Sequence, residues 1–147
     1  MAEELFNILA DNMTKIAPTE NTREEDYKCW VEGVSSALKC NERQIVIIKD
    51  LDTIIGFFQY CVNSDTFVME EIQFKFEYQG KNVFRKLYGF LIENLGYDIE
   101  FVEANVNKDN HKSMGILEKL GLSRAGINKN GRSFRYKGKY ADLERMV

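Results

Sequence analysis

One proline, one histidine, one tryptophan and three cysteines are all that 147 residues contain of these four types. Pro18 falls between two helical runs, and no repeat, low-complexity tract or linker interrupts the chain. It therefore reads as a single domain over residues 1–147, long enough to bury a core. Cys29, Cys40 and Cys61 are an odd number without metal-type spacing, so reduced thiols and no bound metal are expected. No apolar run approaches the ~20 residues of a membrane span, and the opening "MAEELFNILADN" is acidic where a signal peptide is basic. A cytoplasmic location and no membrane partner are expected.

Charge is nearly balanced overall, at −3, but unevenly spread. Glu3, Glu4, Asp11, Glu20, Glu24, Glu25 and Asp26 make the first thirty residues acidic, whereas Arg124, Lys129, Arg132, Arg135, Lys137 and Lys139 make the tail basic. No aromatic residues interleave with that basic tail on a defined motif, so a solvated surface is expected rather than a nucleic-acid face. His111, beside a helix cap, reads as a solvated surface residue.

Hydrophobic spacing orders the elements. Leu5, Leu9, Met13 and Ile16 share one face of a helix over Ala2 to Ala17. Thr22, with Glu25 three residues on, forms a capping box for a second helix running to about Leu38, in which Trp30 faces the sheet. "QIVIIKD" and "TIIGFFQYCV" then read as a hairpin, and Thr66–Phe76 as a third strand. An amphipathic helix from Val83, a strand over Ile99–Val106 and a short helix stopped by Gly121 follow. Asn130-Gly131 predicts a closing hairpin with a type I′ turn. The fold class is mixed α/β around one sheet, with a β-α-β crossover joining a parallel pair.

The helix from Val83 begins with the wrong charges. Its apolar stripe is Val83, Leu87, Phe90, Leu91 and Leu95, yet Lys81, Arg85 and Lys86 stand where a helix dipole favours acids. Ligands settle at the carboxyl ends of parallel strands, so these cations mark either a place for a phosphate-bearing group or a solvated, slightly suboptimal helix end.

Two motifs carry a resemblance to the GNAT superfamily of N-acetyltransferases over roughly residues 44–140. "IQFKFEYQGKNVFRKL" is similar to that family's strand followed by Arg/Gln-x-x-Gly-x-Gly/Ala, and "VNKDNHKSMGILEKLGL" is similar to its Asn-x-x-Ala segment. The resemblance implies a mostly antiparallel sheet whose parallel pair splays at an acetyl-CoA site, flanked by helices; the family's usual first strand is replaced here by helices. It implies acetyl-CoA as cosubstrate, held by Ile72, Gln73, Phe74, Gln79, Gly80, Lys81, Asn82, Val83, Phe84, Arg85, Asn110 and Ser113. Asn82 and Phe84 depart from the glycines of the pattern. Asn tolerates positive φ, whereas a phenylalanine in the first turn crowds the cradle unless it points inward.

The resemblance also implies transfer to a primary amine of a small cationic molecule or a protein, the acidic N-terminal half bordering the acceptor groove. An amine with pKa near ~10 must lose a proton before it attacks. Glu70 matches the base that acts through water in polyamine-acetylating relatives, with Glu71, on the opposite face of the strand, holding a cationic substrate. Glu103 is the reserve base. Many relatives place a tyrosine acid where Leu117 stands; Tyr136, or Tyr140, in the tail is the substitute. Phe84 and the missing tyrosine also suit a non-catalytic relative that binds acyl-CoA or regulates a partner. The assembly state, a homodimer included, is left open.

Overall fold

Local signals account for most element boundaries in the computed structural model, which describes residues 1–16, 18–40, 43–80, 83–94 and 98–146, without the side chains of Phe84 and Asn94. Helix α1 (Ala2–Met13) turns Leu5, Phe6 and Ile8 inward. It stops at Met13, before the Ala17 expected, which lies outside the described residues. The Thr14 hydroxyl donates to the Ala10 carbonyl at 2.6 Å, a local bond that competes with continued helix. Helix α2 (Arg23–Lys39) opens on the predicted capping box: the Thr22 hydroxyl accepts the Glu25 N–H at 3.2 Å, and the Glu25 carboxylate accepts the Thr22 N–H at 3.1 Å.

The strands are β1 (Gln44–Asp50), β2 (Thr53–Asn63), β3 (Thr66–Phe74), β4 (Phe101–Asn107), β5 (Ser123–Ile127) and β6 (Ser133–Lys139). They form one sheet in the order β1-β2-β3-β4-β6-β5. β1 with β2, β4 with β6 and β5 with β6 pair antiparallel, while β3 and β4 pair parallel. Helix α3 (Val83–Asn94) is the crossover between that parallel pair, as the sequence order requires. Helices α4 (His111–Lys119) and α5 (Tyr140–Met146) complete the chain.

Two compact units share this fold: Met1–Cys61 with Glu71–Gln79, and Val62–Glu70 with Gly80–Val147. β3 supplies residues to both. In the first unit, Leu5 and Ile8 of α1 form a core with Ile54 and Phe57 of β2, flanked by Leu9, Trp30, Ile45 and Ile47. Burying each such side chain contributes about 1.5–3 kcal/mol. β2 is buried continuously from Ile54 to Gln59, which is why it reads as an unbroken apolar run rather than an alternating one. In the second unit, Val102, Ala104 and Val106 of β4, Leu87 and Leu91 of α3, and Met114 and Leu117 of α4 are buried.

Three departures from expectation have identifiable causes. β3 ends at Phe74 rather than Phe76, because the Phe74 carbonyl is taken by the side-chain amides of Asn12 at 2.8 Å and Gln79 at 3.0 Å; a 3-10 turn, Phe76–Tyr78, follows. The tail hairpin does not use a two-residue type I′ turn. The Gly131 N–H donates to the Asn128 carbonyl at 2.8 Å, and Asn130 Oδ1 accepts the Arg132 N–H at 2.8 Å. Only Gly131 of the pair takes positive φ, so Asn130 caps the loop by its side chain instead. Helix α5 escapes the periodicity reading because it is short; Tyr140 and Leu143, one turn apart, anchor it against β4, β6 and α3.

Candidate functional site

The second half of β3 belongs to the first unit, and its backbone is closely supported. A Cβ added to Gly56 of β2 would lie 2.5 Å from the Gln73 carbonyl oxygen and 2.7 Å from the Phe74 ring. Only glycine permits that approach. The β1–β2 register skips Ile55, whose carbonyl instead accepts the Lys75 N–H at 2.8 Å. On the other side, Asn12 of α1 donates to Phe74 O and, at 3.0 Å, to Gln73 Oε1, while Gln79 donates to Asn12 Oδ1 at 3.3 Å. Gln73 and Phe74 are thus positioned by Gly56 and Asn12, Gln79 by Asn12, and Lys75 by Ile55.

Glu71 lies in this supported stretch. Its Oε2 receives the Gln59 amide N–H at 2.8 Å and the Trp30 indole N–H at 3.4 Å. Its Oε1 is buried and receives no hydrogen bond from the described residues. Burial raises its pKa from 4.5 to about 7, against the opposing pull of the Trp30 hydrogen bond, the Arg43 charge and the Gln59 hydrogen bond. A carboxyl group with these properties exchanges its proton near neutral pH, as a general base requires.

The remaining predicted residues fall in the second unit. Glu70, half-buried, precedes the boundary. Glu103 on β4 pairs with Lys137 of β6 at 3.7 Å, and that lysine also lies over the Phe101 ring. Tyr136 is fully buried, its hydroxyl 3.3 Å from Glu118 Oε1. Asn110 caps α4: its Oδ1 accepts the Ser113 backbone N–H at 3.1 Å. The parallel register runs from Thr66–Phe101 to Met69–Ala104 and stops there, although β4 continues to Asn107.

Gly80 has φ +77, and a Cβ added there would meet nothing within 4 Å. Helix α3 begins at Val83 without an acidic residue in its first turn, and Arg85 and Lys86 are exposed. Open space at a positive-φ glycine, a first helical turn without an acid and two exposed cations fit a polyanion such as the diphosphate of a coenzyme A moiety. Lys81 and Asn82 lie outside the described residues, as does the side chain of Phe84.

Sequence reasoning missed Asn12 and Gln59. Asn12 carries no sequence signal beyond its place near a helix end. Gln59 does: it is the only carboxamide in the apolar run "IIGFFQYCV", and it is fully buried. A cleft of about 380 Å³ also opens along α1 within the first unit, lined by Glu4, Asp11, Lys15, Lys75 and Glu77 among others. Its mixed charge selects no ligand sign. Among the described residues, no group of three His, Cys, Asp or Glu side chains is placed to hold a metal ion, and no helix is long and apolar enough to cross a membrane.

Comparison with known proteins adds the following. A family model described as acetyltransferase (GNAT) family matches residues 2–122. No curated protein sequence matches the chain. Among solved structures, an acetyltransferase from Thermus thermophilus is 12% identical, with a TM-score of 0.72 over 92% of this chain and 86% of its own. The PaiA N-acetyltransferase of Thermoplasma acidophilum, solved in complex with coenzyme A, is 17% identical, with a TM-score of 0.69 over 95% and 92%. A GNAT family acetyltransferase from Elizabethkingia anophelis, solved with acetyl-CoA bound, is 12% identical, with a TM-score of 0.61 over 86% and 87%. At these identities the structural matches carry the fold.

Proposed function

Since the chain belongs to the GNAT acetyltransferase family and is an acyltransferase, we propose that it moves acetyl from acetyl-CoA to a primary amine of a small cationic molecule or a protein, with Glu71 as the proton acceptor. The observation that carries this reading is the buried Glu71 carboxyl, which titrates at about 7 immediately before Ile72–Phe74. Coenzyme A-bound relatives support acetyl-CoA as donor. When bound, acetyl-CoA supplies the thioester carbon that the amine attacks.

The chain's own residues supply the rest. Gly80, the start of α3, Arg85 and Lys86 bind the diphosphate. Ile72, Gln73 and Phe74 offer strand backbone to the thioester end, held in place by Asn12 and Gly56. Glu71 takes one proton from the ammonium, leaving the neutral amine as nucleophile. A base near 7 is better matched to that task at neutral pH than a carboxylate of ordinary acidity. Residues 1–147 act as one catalytic domain in this reading, and Cys29, Cys40 and Cys61, none in a disulfide, suit a reducing cytoplasm.

Calorimetry with coenzyme A, and thiol release on a panel of diamines and lysine peptides, tests this for wild type, Glu71→Gln and Glu70→Gln. Glu71→Gln is expected to keep coenzyme A affinity and lose on the order of 10²-fold or more in kcat. Loss confined to Glu70→Gln would move the base to Glu70. Coenzyme A binding without thiol release on any amine would favour the non-catalytic alternative.

A further inference from the structure

Two buried oxygens in the first unit accept no hydrogen bond from the described residues: Oε1 of Glu71 and Oε1 of Gln59. They belong to side chains already joined by the Gln59 Nε2–H to Glu71 Oε2 bond at 2.8 Å. Leaving a buried acceptor unpaired costs about 1–3 kcal/mol, so two on one joined pair require an explanation. Both atoms are acceptors, and neither is exposed. A single proton on the Glu71 carboxyl would serve both, donated by one and accepted by the other.

We propose that Gln59 is a positioning residue for Glu71: its amide N–H fixes one carboxyl oxygen, and its own carbonyl receives the O–H that Glu71 acquires on taking a proton. In the ionised state the pair holds one hydrogen bond and two orphaned acceptors. In the protonated state the carboxylic acid and the amide close a ring of two hydrogen bonds, O–H to O and N–H to O. The proton comes from the substrate ammonium and later leaves to solvent, so no other reactant is needed. Among the described residues, the groups on other elements that bear on Glu71 besides Gln59 are Trp30 from α2 and Arg43 ahead of β1. Both favour the ionised form and neither accepts a proton, which leaves Gln59 as the acceptor.

This rests on Glu71 being the proton acceptor, and the test separates the two claims. Carbon-13 labelling of glutamate and glutamine side-chain carbonyls, followed by NMR against pH, reads both members of the pair in the folded wild-type protein. The Gln59 carbonyl carbon is expected to titrate with the same midpoint as the Glu71 carboxyl. Gln59→Met, close in size and without the amide, removes two hydrogen bonds from the protonated form and one from the ionised form. It is therefore expected to move the Glu71 midpoint to lower pH by about half a unit or more, with the acid limb of acetyl transfer following it. A rise, as loss of the N–H alone would give, overturns the ring. A Gln59 carbon that stays still while Glu71 titrates overturns the proposal, as does a Glu71 midpoint unmoved in folded Gln59→Met. If the two carbons titrate together and the acid limb ignores them, Gln59 keeps its place and Glu71 loses its role as the base.

Discussion

The indole nitrogen of Trp30, on α2, donates to Oε2 of Glu71, on β3, across 3.4 Å. The same ring packs edge-on against Phe57, centroids 5.8 Å apart, so one side chain both holds α2 on the sheet and favours the ionised form of Glu71. Trp30→Phe keeps a ring for Phe57 and Phe6 but removes the donor. The Glu71 pKa is expected to rise above about 7, and the acid limb of the transfer rate to move to higher pH. A rate–pH series on the folded variant checks this; an unmoved limb would separate Trp30 from the chemistry.

Burial of Glu71 makes stability depend on pH in a direction unusual for a carboxylate. Its pKa is higher in the folded state, about 7 against 4.5, so the folded protein holds the proton more tightly than the unfolded chain. The stabilisation is complete below 4.5 and lost as pH rises through 7. The ionised group then costs up to about 3 kcal/mol. Glu71→Gln is therefore expected to melt above wild type at about pH 8, with the gap closing toward about pH 5. Thermal melts at both values decide the sign.

Arg85, exposed in the first turn of α3, opposes the helix dipole, a cost that a bound anion would offset. Arg85→Glu is expected to stabilise the ligand-free protein by about 0.3–1 kcal/mol and at the same time to weaken coenzyme A binding several-fold. Melting without ligand and calorimetry with it should move in opposite senses. A change of the same sign in both would mean that Arg85 does not face the phosphates.

Gly56 has no room for a side chain. Its added Cβ would lie 2.5 Å from the Gln73 carbonyl oxygen, a backbone atom, and 2.7 Å from the buried Phe74 ring. Gly56→Ala must push β2 away from Gln73 and Phe74, and a loss of about 1–3 kcal/mol or more is expected from such overpacking. Denaturant unfolding measures it, and the surviving folded fraction should also bind acetyl-CoA more weakly.

Periodicity and capping chemistry made most of the fold legible. The Thr22–Glu25 box and the Val83 helix are local patterns that local bonding realised, and the β-α-β order is realised by the parallel pairing of β3 with β4. The misses came where another bond intervened, distant in one case and local in the other. Phe76 looked like strand, but the amide of Asn12, sixty-two positions from Phe74, withdrew the Phe74 carbonyl and the strand stopped. Asn130-Gly131 looked like a two-residue turn, and the Asn128 carbonyl closed a longer one.

The site divides in the same way. The sequence alone determined that a helix with Arg85 and Lys86 in its first turn follows a strand carrying two adjacent glutamates, since composition and spacing suffice for that. Only tertiary structure decided how Glu71 is surrounded. Trp30, Arg43 and Gln59 come from three other segments of the chain, and the free energy of burying a charge depends on what those segments place around it rather than on its neighbours in sequence.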